Sequence, residues 1–413
     1  LVTDFFRRRA DPGEPAVLRK ARALAFVLRE KRVRIHPREL LVGCFTSHRV
    51  GGGLLPELHG VAVLEDLFRF ERRSVNPLRV DPQDRRRLLT EVIPYWAPRF
   101  LAARAMPPLR AARFVVEQLA ATRYLINETG GISHFVPDYA ALCEHGTDGL
   151  AAHARARRAD FAPSSPQSSF LLAIELACEG LGAFAEGYRR EAERAATIER
   201  DPARQAELAR IAEVCAHVPR RPARTLHEAL QSILFAQIAL NLESLDNSVS
   251  PGRLDQILWP YFARDREAGA LDDEGALELL GAFAVKLCEI VPVFSQRITR
   301  FHGGLFNGQV VVVGGRDREG ADATNDLTML WLELMDGLRT RQPNYHARVH
   351  RGSPPAYRAR IARALAAGAV SPAVYGDERV EQALRGRGVS ERDARDYANV
   401  GCVEPVAAGR SFF

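Results

Sequence analysis

The chain has little of what marks most specialised sites. Its six cysteines, Cys44, Cys143, Cys178, Cys215, Cys288 and Cys402, are scattered over 413 residues with no C-x-x-C pair. That density is far below a disulfide scaffold and favours a reducing, cytoplasmic setting. No His/Cys spacing suits a metal ion, so no metal site is expected. No P-loop or glycine-rich dinucleotide turn occurs. No run of 18 or more residues is apolar throughout, so no membrane span is expected, and Leu1-Val2-Thr3-Asp4 does not open a signal peptide. Internal repeats and low-complexity linkers are also missing.

What is present is ordinary globular material, 46% hydrophobic and 26% charged. The net charge of +6 and the pI near 9.1 come from arginine, with triplets at Arg7-Arg8-Arg9 and Arg85-Arg86-Arg87. A basic balance permits nucleic-acid binding. Here it lacks aromatic-interleaved basic patches, a recognition-helix pattern and zinc-finger spacing, so solvated helix faces are the better account and no nucleic-acid partner is expected.

Periodicity divides the chain into a mainly helical part, 1–300, and an α/β part, 301–413. Ala16 to Arg32 places Leu18, Ala21, Leu24 and Leu28 on one face. Helices are also read over 170–194, 206–215 and 272–290. Leu226 to Leu242 is apolar almost all round, the pattern of a helix buried on most sides. Beyond 300, Val310-Val311-Val312-Val313-Gly314 reads as a strand buried on both faces. Helices over 325–337, 354–367 and 378–387 then alternate with short strands at 345–350 and 373–375. Such alternation predicts parallel strands joined by crossover helices.

The densest chemistry lies in Asp396-Tyr397-Ala398-Asn399-Val400-Gly401-Cys402-Val403-Glu404-Pro405. A thiol and a carboxylate stand two residues apart, between a glycine and a proline. In extended backbone, residues i and i+2 share a face, so Cys402 and Glu404 are expected to address one small volume. A lone cysteine is more often a small buried hydrophobe than a catalyst, and the spacing alone does not separate the two.

The Gly-Cys-Val-Glu-Pro block resembles the active-site cysteine loop of the glycyl radical enzymes, in their dehydratase and lyase branch. Further segments fall in the family's order: Glu39-Leu40-Leu41-Val42-Gly43, Gly130 to Tyr139, Pro222 to Leu230, and Ser248 to Gln256. The resemblance spans essentially the whole chain. It implies a helix-rich half plus part of a ten-stranded α/β barrel of two half-sheets, with the cysteine loop in the lumen and a cut sheet edge. It also implies that Cys402 becomes a thiyl radical and that Glu404 is the general base. The pyruvate formate-lyase branch carries two adjacent cysteines, whereas Gly401 precedes a single one here.

By the same resemblance His134 and Ser248 face substrate. The residue before that serine is commonly His in diol dehydratases and is Asn247 here, which argues against glycerol. A glycyl radical installed by a radical SAM activating enzyme, a small-molecule substrate and a homodimer are implied. The radical glycine is expected outside these residues, and the chain is expected to be an inactive fragment without that domain. An arylacetate decarboxylase, a split enzyme and a non-catalytic relic are the alternatives. Asp138 is read as a turn residue, Arg253 and Asp255 as a structural ion pair, and His227 and Glu228 as structural. Asn307, Gln309, Asn344, Tyr345 and Tyr375 lie near strand ends, where pocket residues gather.

Overall fold

A computed structural model describes residues 1–55, 66–99, 104, 106–120, 122, 134–243, 248–301, 303–304 and 308–410. Helix dominates up to residue 301. The longest, Pro166–Ile198, starts with Pro at its first turn and with the Ser165 side chain accepting the Ser168 N–H. It is long and apolar enough to cross a membrane by length and composition. It instead sends Phe184, Ala185 and Tyr188 into the main core, where the ring of Phe235 meets both aromatics. Phe235 belongs to the central helix, Leu226–Glu243, whose residues are buried on nearly every side. The helices at Ala16–Glu30, Pro202–His217 and Asp273–Cys288 lie within a few residues of their expected limits.

Two short strands, β1 (Gly51–Gly53) and β2 (Ile290–Pro292), pair in parallel. The sequence reading assigned Ile290 to a helix, which in fact stops at Cys288. It passed over Gly51–Gly53 because glycine carries little strand signal.

The sheet that matters runs β3 (Val310–Gly314), β4 (Asn344–Val349) and β5 (Ala373–Gly376), all parallel. Each crossover is a helix, Asp326–Leu338 and then Pro355–Ala366, as the alternation predicts. A capping box between Asn325 and Thr328 starts the first of these. Val311 and Val313 face the main helical core, while Val310 and Val312 face the other way. Beside β3 the sheet continues through Gly252, whose N–H and C=O bond Val310 and Val312, and then through the Phe135–Val249 bridge. Among the described residues β5 has one strand neighbour, so its other edge is open.

In front of this wall stands an antiparallel hairpin, β6 (Tyr397–Val400) and β7 (Glu404–Ala407). Ala398 and Val400 pack on Val310, Val312 and Val136. The hairpin's base is fixed by charge. The fully buried Arg348 holds Asp377 bidentately (2.9 and 3.0 Å) and donates to the carbonyls of Tyr397 (2.9 Å) and Arg395 (2.7 Å). Its guanidinium lies 3.9 Å over the Tyr397 ring. Arg253 pairs with Asp396 (2.7 Å) rather than with Asp255. Asp255 accepts instead from the Gly314 N–H and the Thr328 hydroxyl. The expected Arg253–Asp255 pair is thereby corrected. Each charge bonds to the element packed against it.

Candidate active site

Cys402 sits in the turn that joins β6 to β7, not within a strand. The expectation that strand alternation brings it to Glu404 is therefore wrong in its geometry. Gly401 adopts φ +58°, a left-handed conformation that turns the chain at the end of β6. Glu404 then begins β7 and reaches back across the turn. Its Oε2 accepts from the Cys402 N–H (3.1 Å) and the Val403 N–H (2.9 Å). Oε1 makes no hydrogen bond among the described residues, and Glu404 as a residue is exposed. Thiol and carboxylate do share one small volume, through a turn closed by the carboxylate itself.

Of the six cysteines, Cys402 alone is classed as exposed. Partial burial of its sulfur and, after that, the neighbouring Glu404 carboxylate hold the thiol above its ordinary value. Near neutrality it keeps its S–H hydrogen. That suits hydrogen-atom exchange and disfavours thiolate nucleophilic chemistry.

His134 arrives on the far side of Gly401. A Cβ built on Gly401 would lie 2.8 Å from His134 Nε2 and 3.3 Å from Glu404 Oε2, so imidazole and carboxylate flank the glycine. His134 has φ +90°, unusual for a side-chain-bearing residue, and its N–H donates to the Ser248 carbonyl (3.2 Å). Asp138, two residues beyond Val136, accepts the Ala141 N–H and caps the next helix.

Ser248 is fully buried. Its hydroxyl accepts the Gly401 N–H (2.8 Å) and meets the Ser250 hydroxyl (3.2 Å), which in turn accepts the Val310 N–H (3.2 Å). The pair thus suspends the cysteine turn from the first strand of the wall. Asn247 and Asn307 lie outside the described residues. His227 bonds the Leu40 carbonyl and Glu228 bonds Arg224, both far from the turn in sequence and in fold.

Three residues complete the surroundings. Tyr375 of β5 points its hydroxyl at the Cys402 carbonyl (3.5 Å) and stacks on His346 of β4, ring centres 5.0 Å apart. Burial pushes His346 down to about 4, opposed by the Glu404 carboxylate, so its imidazole is neutral. Asn399 of β6 is completely buried beside the Tyr375 hydroxyl. The sequence reading named Tyr375 as a strand-end residue and missed His346 and Asn399. Counting every second position from Asn344 along β4 would have reached His346. Tyr345, which the reading did name, points into the core against Trp331, and Gln309 is buried in hydrogen bonds to Gln237 and Gln342.

Two other places gather polar groups. A cavity of about 310 Å³ lies at the hairpin's base, lined by Arg253, Arg318, Asp396 and Gly409 among others, and not by Cys402 or Glu404. His36, Glu39 and Cys44 bring ligand atoms within 4.8 Å of one another, a grouping the sequence spacing did not announce. There the Lys286 ammonium lies 2.8 Å from Glu39 Oε1 and supplies the positive charge.

Comparison with known proteins gives a consistent result. A family model described as pyruvate formate lyase-like matches residues 2–413. Isethionate sulfite-lyase of Nitratidesulfovibrio vulgaris is 32% identical over 98% of this chain and 51% of its own length. Trans-4-hydroxy-L-proline dehydratase of Clostridioides difficile is 28% identical over 100% of this chain and 53% of its own. A solved glycyl radical enzyme from Archaeoglobus fulgidus superposes with a TM-score of 0.91 at 33% identity, covering 100% of this chain and 53% of that one. The glycerol-bound B12-independent glycerol dehydratase of Clostridium butyricum gives 0.90 at 29% identity, over 99% and 52% respectively. The chain spans about half the length of the curated relatives it matches.

Proposed function

The chain belongs to the pyruvate formate lyase-like family, in its glycyl radical dehydratase and lyase branch, and on that premise we propose that the protein carrying it is a dehydratase or carbon–heteroatom lyase. Its substrate is a small hydroxylated or aminated molecule. A glycyl radical, installed by a radical SAM activating enzyme, supplies the initial removal of hydrogen from the Cys402 thiol. The Cys402 sulfur then takes a hydrogen atom from a substrate carbon. Glu404 Oε1 takes the proton of the hydroxyl on that carbon, and the charge left on oxygen expels the neighbouring group with its bonding electrons. Cys402 finally returns its hydrogen atom to the product radical.

The observation that carries this reading is the state of the pair. Glu404 is fixed through Oε2 to the turn bearing Cys402, its Oε1 is left open, and the thiol is held protonated. A base must lie within hydrogen-bond reach of the proton it takes, and an anchored carboxylate with one open oxygen meets that need. His134, on the other flank of Gly401, is the substrate contact in this reading. Ser248 and Asn247 are substrate contacts in the same reading, and Ser248 also seats the turn through Gly401. The protein is taken to work in the cytoplasm as a homodimer, with the activating enzyme as its partner.

Glu404→Gln is the test. It should leave the radical signal in electron paramagnetic resonance intact while lowering turnover by roughly two to four orders of magnitude. Turnover within tenfold of the parent would remove Glu404 from the role of base.

A further inference from the structure

The wall beneath the cysteine turn holds hydrogen-bonding capacity that the protein does not use. Asn399 is 0% exposed, yet among the described residues neither its Nδ2 nor its Oδ1 has a hydrogen-bond partner of ordinary geometry, the Tyr375 hydroxyl being the one group close enough to bond its amide weakly. His346 is 3% exposed, and its Nδ1 is likewise without one. Tyr375 joins the two residues, stacked on His346 and with its hydroxyl beside Asn399 and under the Cys402 carbonyl. Each buried polar atom left unpaired costs about 1–3 kcal/mol, so a leucine or phenylalanine would serve better if packing were the only demand.

We propose that Asn399 and His346, bridged by Tyr375, form a polar subsite that takes a neutral hydroxyl group of the substrate. The inference rests on the lyase reading above and adds a specificity element to it. A hydroxyl donates once and accepts once or twice. The Asn399 amide offers both a donor and an acceptor, and the imidazole offers one further nitrogen of either kind. An anionic oxygen fits poorly there, because it cannot donate to Asn399 Oδ1 and would face the Glu404 carboxylate. The subsite therefore asks for a hydroxyl in addition to whatever group departs. It lies on the β4–β5 side of the turn, whereas His134 lies beyond Gly401, so the two contacts hold different parts of one molecule.

The test uses opposed readouts. Asn399→Leu removes the amide while keeping the branch at Cγ, and it should raise the melting temperature while raising KM about tenfold, with a smaller effect on kcat. Asn399→Ser keeps a hydroxyl and should recover part of the lost affinity even if the leucine variant packs badly. An unchanged KM in both variants overturns the subsite. A raised melting temperature in that case would mean that the wall holds only ordered water, and a lowered one that Asn399 is purely structural. A protein without lyase activity would instead refute the reading beneath it. The subsite would then be judged on the unactivated protein, by saturable thermal-shift titration with isethionate and with glycerol. Equal saturation midpoints for the parent and Asn399→Leu would again overturn it.

Discussion

Replacing Gly401 by alanine separates backbone strain from crowding at the cysteine turn. The parent residue has φ +58°, where an alanine costs about 1–2 kcal/mol. The new methyl would stand 2.8 Å from His134 Nε2 and 3.3 Å from Glu404 Oε2, so one of these must move. Overpacking of this kind costs about 1–3 kcal/mol, for a sum of roughly 2–5 kcal/mol. The imidazole tip can swing aside, which places the stability loss in the lower half of that range. The same swing displaces the groups that flank the turn, and a shift of about 1 Å in a reacting group costs on the order of 100-fold in rate. Two controls calibrate the result. Gly388→Ala, at φ +88° with nothing within 4 Å, carries the backbone cost alone. Gly376→Ala, with no positive φ and no neighbour, should be nearly silent. Urea unfolding and steady-state turnover of the three variants give the answer. A Gly401→Ala protein no less active than Gly388→Ala would refute the idea that His134 and Glu404 share the space above this glycine.

Other consequences are as direct. Arg348→Met leaves Asp377 buried without its guanidinium and should destabilise by about 3–5 kcal/mol in urea unfolding, with much of that restored by adding Asp377→Leu. His346 titrates near 4 when folded against about 6.5 unfolded, so the unfolded state binds the extra proton between those values. Stability should therefore fall by about 3 kcal/mol as pH drops from 6.5 to 4, and His346→Leu should flatten that slope in acid-unfolding curves. Under native conditions a maleimide should label Cys402 before any other cysteine, because it alone among the six is exposed. Peptide mapping that finds Cys44 or Cys215 modified first would contradict the burial pattern.

How much of this could be read from the sequence differs by element. The 226–243 helix and the Val310–Gly314 strand were legible because burial on all sides leaves an unbroken apolar run. Cys402 and Glu404 were legible as a pair, but their geometry was not. Gly401-Cys402-Val403 is compatible with a strand or a turn, and only the pairing of Tyr397–Val400 with Glu404–Ala407 decides it. Pro405 is tolerated because, among the described residues, β7 has one strand neighbour, β6. The partners of Arg253 and Arg348 were out of reach, since Asp396 and Asp377 are brought to them by tertiary packing. Asn399 was invisible as a special residue because the burial of an amide has no signature in sequence.

The hairpin is short, and its shape sets a mechanical condition on the chemistry. Four residues of strand span about 13 Å, so the cysteine turn rides at the end of a lever of that length. A tilt of only about 5° at the base would carry the sulfur about 1 Å sideways, and errors of that size are worth on the order of 100-fold in rate. Angular stiffness must then be supplied where the lever is mounted, at Asp396 and Tyr397, and both are clamped there by Arg253 and Arg348. Residues that never approach a substrate thus govern how accurately the thiol is aimed. The precision of the tip is a property of its mounting.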